Sequence, residues 1–186
     1  MAALRPVRAL VCVMTNVDFT RLRFLVVDDN PHTRRILRTL LHGFGAREVH
    51  EAEDGASGLE SYSAHLPDVV ILDWVMPIFD GIELTQMIRQ PDFIINPFVP
   101  IILLTAYTDR QRVIVARDAG VTEVLAKPIS AKVLHQRIVA VLTRPRKFIR
   151  TDTYFGPEPR TEIKANFDAA MERRSAPHRP AVGAAA

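Results

Sequence analysis

Cysteine and long apolar runs are scarce in this chain, and each scarcity excludes a class of protein. The 186 residues include one cysteine, Cys12, so neither a disulfide framework nor a cysteine-rich zinc site can form. The six histidines are scattered, and no pair has metal-ligand spacing on one predicted helix. No window approaches the roughly 20 apolar residues that span a bilayer, so we expect no membrane insertion. A lone cysteine fits a reducing compartment, and we expect a cytoplasmic location.

Short apolar runs through the middle of the chain predict buried strands. Three of them, at 24–27, 69–72 and 101–104, are continuously apolar rather than alternating, which is typical of parallel strands covered by helices on both faces. Their β-branched content favours strands over pieces of buried helix. Two further strands are predicted at 121–126 and, from a weaker pattern, at about 47–51.

Segments with helical spacing separate these strands. Pro31, Asp80, Asp109 and Ser130 stand where four of the helices should begin, and a shorter helix is predicted at about 56–64. Strand and helix therefore alternate five times. This pattern predicts an α/β fold with a doubly wound, five-stranded parallel sheet of the flavodoxin-like type.

We expect one domain at residues 21–143, flanked by two extensions. Residues 1–20 are predicted to be a disordered lead-in, because the apolar stretch Ala9–Met14 is too short for a signal peptide; a start of translation at Met14 instead of Met1 is an alternative. Residues 144–186 are rich in proline and contain nine lysines and arginines against five acidic residues. We expect them to form a mostly disordered basic tail.

Polar residues follow four of the five predicted strands, at the point where each strand ends. Asp28 and Asp29 follow the first strand, Asp73 the third, Thr105 the fourth and Lys127 the fifth. Because open α/β sheets bind ligands at the carboxyl ends of their strands, we expect these side chains to converge at one edge.

The expected cluster has the chemistry of phosphoryl transfer to a carboxylate. Asp28, Asp29 and Asp73 offer oxygen ligands to Mg²⁺, which commonly binds through one or two carboxylates together with phosphate oxygens. Lys127 supplies a positive charge and Thr105 a hydroxyl donor for phosphoryl oxygens. Asp73 is the best candidate nucleophile because its strand is central and has partners on both sides.

Each of these residues also has an ordinary structural explanation. An acidic pair at a strand end usually caps a helix, a threonine after a strand usually belongs to a turn, and a lysine before a proline is usually a surface residue. Four such residues at matching strand ends favour a functional site.

Four segments of the chain resemble the receiver domain of bacterial two-component response regulators, the CheY-like family. They are LVVDDN at 25–30, VILDWVMPIFDGIEL at 70–84, IILLTAY at 101–107 and VLAKPIS at 124–130. The separations of 45, 32 and 22 residues between Asp28, Asp73, Thr105 and Lys127 are also family-like. The resemblance covers the whole predicted core.

The resemblance implies that Asp73 accepts a phosphoryl group from a histidine kinase or phosphotransferase. It implies Mg²⁺ held by Asp29, Asp73 and the backbone carbonyl of Val75, with help from Asp28. Acceptance and loss of the phosphoryl group would be autocatalysed, so the protein would not be an enzyme acting on other substrates.

The resemblance also implies a switch. Thr105 would move toward the phosphoryl group and Lys127 would bind it, with a cis peptide expected at Lys127–Pro128. The change would reach an unknown downstream protein through the face formed by about residues 107–142. No DNA-binding domain fits within the 43 residues of the tail, so we expect no specific DNA binding.

Two positions depart from the family pattern. Many receivers carry an aromatic residue three positions before the lysine, but here that position is Val124. Either another residue such as Tyr107 provides the coupling or the two states differ less, and we favour Tyr107 as a partner-facing residue. Val75 borders the path of the hydrolytic water, and our hypothesis is that Val75 and Tyr107 make dephosphorylation slow.

Two other functions are compatible with parts of this pattern. A phosphatase of the haloacid dehalogenase type also uses an aspartate nucleophile, Mg²⁺ and lysine, but it needs a second aspartate where this chain has Val75. A phosphorylation-independent adaptor would use the receiver fold for binding alone. The intact set of Asp28, Asp29, Asp73, Thr105 and Lys127 argues against it.

Overall fold

The computed structural model describes residues 17–91, 94–107, 109–151 and 154–159. Five parallel strands alternate with five helices, and a short 3₁₀ helix at Phe19–Arg21 precedes them. The strands are β1 Arg23–Val27, β2 Glu48–Ala52, β3 Val69–Asp73, β4 Ile101–Thr105 and β5 Glu123–Ala126. The helices are α1 Pro31–Gly43, α2 Gly55–His65, α3 Gly81–Ile88, α4 Arg110–Asp118 and α5 Ala131–Thr143.

The sheet has the strand order β2-β1-β3-β4-β5, with every pair parallel. This order confirms the predicted doubly wound, flavodoxin-like fold. The order reverses between β1 and β3, and ligands of such sheets bind at that reversal, outside the carboxyl ends of the strands. Asp28 and Asp73 lie at the carboxyl ends of these two strands.

The core has two apolar layers, one on each face of the sheet. Leu25 and Val27 of β1 pack in one layer, and Phe24 and Val26 pack in the other, all at most 1% exposed. Strand β3 divides its side chains in the same way. Burial on both faces explains why these strands are continuously apolar in sequence.

The predicted helix starts are confirmed by the caps. The side chains of Asp80, Asp109 and Ser130 each accept a hydrogen bond from a backbone N–H of the first turn, and Asn30 does so ahead of Pro31. These bonds satisfy donors that would otherwise lack a partner within the helix. Among the described residues, no helix has the length and apolar character needed to cross a bilayer.

The extensions differ from expectation where the structure describes them. Phe19, within the predicted lead-in, is 5% exposed and stacks on Phe24. In the predicted tail, β6 Phe148–Arg150 and β7 Phe155–Pro157 pair as an antiparallel hairpin, so the expectation of disorder from residue 144 is wrong for this segment. The rings of Phe148 and Phe155 pack with that of Phe98, which holds the hairpin on the domain. The remaining parts of the predicted extensions, 1–16 and 160–186, lie outside the described residues.

Candidate functional site

Three carboxylates meet at the edge of the sheet. Asp28 follows β1 and Asp73 ends the neighbouring strand β3, while Asp29 lies one residue further along the chain. One carboxylate oxygen from each of the three lies within 4.8 Å of the others. Asp28 is fully buried, Asp73 is nearly buried and Asp29 is exposed. The predicted convergence of these residues is therefore present.

The ammonium group of Lys127 lies between the two buried carboxylates. Its Nζ is 3.0 Å from Oδ2 of Asp28 and 2.9 Å from Oδ1 of Asp73. The backbone N–H of Lys127 donates to the carbonyl of Thr105 at 2.8 Å, which fixes the start of the loop after β5. The peptide bond to Pro128 is cis, as expected.

Backbone donors fix the orientation of the two buried carboxylates. The N–H of Asn30 donates to Oδ1 of Asp28 at 2.9 Å, and the N–H of Trp74 donates to Oδ1 of Asp73 at 2.8 Å. The Nη1 of Arg34 donates to the carbonyl of Asp28 at 2.7 Å. Oδ1 of Asp73 thus has two donors, whereas its Oδ2 accepts no hydrogen bond from the described residues.

The surroundings raise the pKa of both Asp73 and Lys127. Burial raises the pKa of Asp73, the charge of Asp28 raises it further, and Lys127 offsets only part of the effect. Burial alone would lower the pKa of Lys127, but its hydrogen bonds to Asp73 and Asp28 outweigh burial and raise it. Asp73 is therefore more basic than an ordinary aspartate, while Lys127 stays protonated beside it.

Thr105 lies at the end of β4 and is 1% exposed, but its hydroxyl is bonded to Tyr107. Oγ1 donates to the carbonyl of Tyr107 at 2.9 Å and accepts the N–H of Tyr107 at 3.0 Å. The predicted residue is thus at the expected strand end. Its hydroxyl is bonded to the following loop, and no hydrogen bond joins it to Asp73.

Val75 lies two residues beyond Asp73, and its side chain is 64% exposed. Its backbone carbonyl accepts no hydrogen bond among the described residues. The loop that contains it ends at Gly81, whose N–H donates to the carbonyl of Trp74 at 2.9 Å.

The oxygen atoms of the carboxylate cluster are suitable ligands for a hard divalent cation. Three carboxylate groups lie close together, and each can offer one oxygen to a shared ion. Mg²⁺ prefers oxygen ligands and commonly uses one or two carboxylates together with water. The residues present therefore fit such an ion.

Sequence reasoning missed one contact beside the site. The guanidinium of Arg112, in the first turn of α4, lies 4.1 Å from the ring centroid of Tyr107 and 5.7 Å from that of Trp74. Arg112 lies within the range 107–142, which the resemblance to receivers implies is the output face. A cation–π contact between segments distant in the chain leaves no periodic pattern, so a single sequence offers no signal for it.

Comparison with known proteins assigns the same segment to one family. The family model described as the response regulator receiver domain matches residues 24–139. Chemotaxis protein CheY of Pseudomonas aeruginosa is 32% identical over 123 residues, which cover 66% of this chain and 98% of that protein. A relative from Guillardia theta, described as "Probable transcriptional regulator ycf27", is 41% identical over 128 residues, and the chain spans 48% of its length.

A solved structure has the same architecture. The receiver domain of the sensor histidine kinase PA1611 from Pseudomonas aeruginosa superposes with a TM-score of 0.57 and 32% identity. The match covers 64% of this chain and 94% of that one. That structure has a magnesium ion coordinated in its active site cleft.

Proposed function

The chain belongs to the response regulator receiver domain family, and we propose that it is a phosphorylation switch of a two-component system. Asp73 accepts a phosphoryl group from a histidine kinase or phosphotransferase. The observation that carries the proposal is the position of Asp73, whose Oδ1 lies 2.9 Å from Lys127 Nζ and whose carboxylate is clustered with Asp28 and Asp29.

The chemical step is a displacement at phosphorus. A carboxylate oxygen of Asp73 forms a bond to phosphorus, and the bond from phosphorus to the donor's oxygen or nitrogen breaks. The leaving group keeps the electron pair and takes a proton from solvent when its basicity requires one. Hydrolysis reverses the modification, since water attacks phosphorus and releases the Asp73 carboxylate and inorganic phosphate.

Residues around Asp73 support this step. The N–H of Trp74 and the Nζ of Lys127 hold Oδ1, so the carboxylate has a fixed orientation. The raised pKa of Asp73, caused mainly by burial, makes its oxygen a better nucleophile than that of an exposed aspartate. Lys127 stays protonated and can pair with phosphoryl oxygens.

Asp28, Asp29, Asp73 and the carbonyl of Val75 are the groups proposed to hold Mg²⁺. When bound, the ion supplies positive charge for the phosphoryl oxygens and relieves repulsion among the carboxylates. The magnesium ion in the cleft of the similar PA1611 receiver domain supports this assignment.

The proposed output is contact with a downstream protein through the face built from about residues 107–142. A phosphoryl group at Asp73 adds charge and gives the hydroxyl of Thr105 a new acceptor, which can shift the loop that follows. The proposed location is the cytoplasm, where the lone Cys12 would stay reduced.

Intact mass spectrometry tests the proposal. The wild-type chain, incubated with acetyl phosphate and Mg²⁺, should gain one phosphoryl group, and Asp73→Asn should gain none. Omission of Mg²⁺ should abolish or strongly slow the gain. If neither acetyl phosphate nor any histidine kinase modifies the wild-type chain, the phosphorylation-independent adaptor is the better description.

A further inference from the structure

Arg112 contacts both loops that border Asp73. Its guanidinium carbon is 4.1 Å from the ring centroid of Tyr107 and 5.7 Å from that of Trp74. Its Nε lies 3.5 Å from Oδ2 of Asp109, the residue that caps α4. One side chain therefore connects the loop after β3 with the loop after β4.

The backbones of Trp74 and Tyr107 form hydrogen bonds to the side chains of Asp73 and Thr105. Trp74 donates its N–H to Oδ1 of Asp73 at 2.8 Å. Tyr107 bonds twice to the hydroxyl of Thr105, since its carbonyl accepts the hydroxyl proton at 2.9 Å and its N–H donates at 3.0 Å. The hydroxyl of Thr105 must leave the carbonyl of Tyr107 before it can donate to a phosphoryl oxygen at Asp73.

We propose that Arg112 is a positioning residue that holds the Thr105 hydroxyl away from Asp73 in the unphosphorylated protein. This inference rests on the proposed function. The guanidinium attracts the ring of Tyr107 and so keeps its backbone where it bonds to Thr105. Phosphorylation must then loosen this contact. The proposal replaces the expectation that Tyr107 is only a partner-facing residue.

The absence of a ring at position 124 supports this role for Tyr107. Val124 is partly buried against the core and has no aromatic face for a guanidinium. Tyr107 is 56% exposed, so its ring is held by Arg112 and not by packing within the core. Its movement would therefore change the start of α4 without disturbing the apolar layers.

Titration with beryllofluoride in the presence of Mg²⁺ tests the proposal, because this ion mimics a phosphoryl group on a carboxylate. In Arg112→Gln the half-saturating concentration should fall by roughly two- to fivefold, the equivalent of one exposed cation–π contact. The matched control is Arg110→Gln, which removes the same charge from the same helical turn and should leave the midpoint unchanged. Fluorescence of Trp74, the only tryptophan, reports binding when each variant is scaled to its own end points.

The Thr105→Val background separates positioning from a general effect. Arg112→Gln should have no effect on the midpoint there, because no hydroxyl remains to be released. An equal change in both backgrounds would overturn the proposal. Tyr107→Leu should shift the midpoint in the same direction as Arg112→Gln, and the effect of the double variant should fall short of the sum of the two, since both substitutions remove the contact between Arg112 and Tyr107.

The outcomes distinguish this inference from the proposed function. If the wild-type protein binds no beryllofluoride, the proposed function fails and this inference fails with it. If wild type binds, Asp73→Asn does not, and Arg112→Gln keeps the wild-type midpoint, only the role of Arg112 is refuted. Arg112→Lys keeps a cation and should lie between wild type and Arg112→Gln, which provides a second test if the glutamine variant folds poorly.

Discussion

At the scale of single residues, Lys127 offsets the charge of two buried carboxylates. Its Nζ lies within 3.0 Å of both Asp28 and Asp73, whereas Asp29 makes no ion pair among the described residues. The one ammonium group of Lys127 thus pairs with two of three neighbouring carboxylates, and Asp29 is left without an ion pair among the described residues. The excess negative charge disfavours the folded state locally and favours a divalent cation.

If Mg²⁺ binds the folded carboxylate cluster as proposed and does not bind the unfolded chain, it should stabilise the fold. Urea unfolding should show a free energy of unfolding higher by about 2.7 kcal/mol when free Mg²⁺ is a hundred times its Kd. Chelation with EDTA should remove this gain. The double variant Asp29→Asn, Asp73→Asn should lose most of it. An equal gain in wild type and double variant would refute a magnesium site at these residues.

Val75 sets the lifetime of the phosphoryl group in our hypothesis. Its apolar side chain cannot hold a hydrolytic water, so Val75→Asn should accelerate loss of the phosphoryl group by roughly two- to tenfold, the equivalent of one hydrogen bond. Intact mass measured over time after removal of the donor gives the rate. Ile78→Asn places the same amide three residues further along the exposed loop and should not change it. An unaltered lifetime in Val75→Asn would remove the idea.

The sequence predicts which groups meet in the site but not how each is oriented. Asp28, Asp73 and Lys127 were predictable together because a parallel sheet brings the carboxyl ends of its strands to one edge. The direction of the Thr105 hydroxyl could not be predicted, because it depends on the backbone of Tyr107. That backbone depends in turn on a side chain from the next helix, Arg112.

At the scale of elements, helix α3 packs directly on the end of the strand that carries Asp73. A Cβ atom added to Gly81, the first residue of α3, would lie 2.2 Å from the carbonyl oxygen of Asp73 and 2.8 Å from Cδ1 of Leu103. The helix is fixed in this place by Asp80, which accepts bonds from the N–H groups of Ile82 and Glu83, both at 2.8 Å. The absence of a side chain at Gly81 therefore sets the distance between helix and strand.

Gly81→Ala should lower the free energy of unfolding by about 1–3 kcal/mol, because backbone atoms cannot move aside as a flexible side chain can. It should also slow phosphorylation by acetyl phosphate, since the strand end that carries Asp73 must shift. Urea unfolding and intact mass measure the two effects. Gly43→Ala is the control, because a Cβ at Gly43 would meet nothing within 4 Å. Equal stability of the two variants would show that α3 can move away from β3 without cost.

The longer strands could be predicted from the sequence, whereas the three-residue strands of the hairpin could not. Strands β1, β3 and β4 are buried on both faces, so their apolar runs are unbroken. Strand β2 lies at the edge of the sheet and only Ala52 is buried, which explains its weak pattern. The hairpin strands β6 and β7 have three residues each, too few for any periodicity.

At the scale of the whole molecule, the hairpin belongs to the same folded body as the receiver. Arg89, at the end of α3, is 4% exposed, and its guanidinium lies 5.2 Å from the ring centroid of Phe148. Its Nε donates to the carbonyl of Gly120 at 2.9 Å, and its Nη1 donates to that of Pro97 at 2.7 Å. Burial lowers the pKa of Arg89 to about 10, so the side chain stays charged at neutral pH.

Arg146 joins the hairpin to the start of β5. Its Nη2 donates to the carbonyls of Thr122 and Val121, and its Nη1 donates to the carbonyl of Glu158 at 3.1 Å. Arg146→Met keeps the apolar stem but leaves these carbonyls without their donor. We expect a loss of about 1–3 kcal/mol in the free energy of unfolding.

The control for this prediction is Arg144→Met, which removes the same charge two residues earlier. Arg144 is exposed and makes no side-chain hydrogen bond or ion pair among the described residues, so its substitution should leave the free energy of unfolding nearly unchanged. Urea unfolding followed by Trp74 fluorescence and by far-UV circular dichroism should give coincident transitions in wild type, because hairpin and receiver unfold together. If Arg146→Met were as stable as Arg144→Met, the hairpin would be an appendage whose docking adds nothing to the receiver. A stability loss confined to Arg146→Met would instead mean that the chain after α5 is part of the receiver's own folding unit.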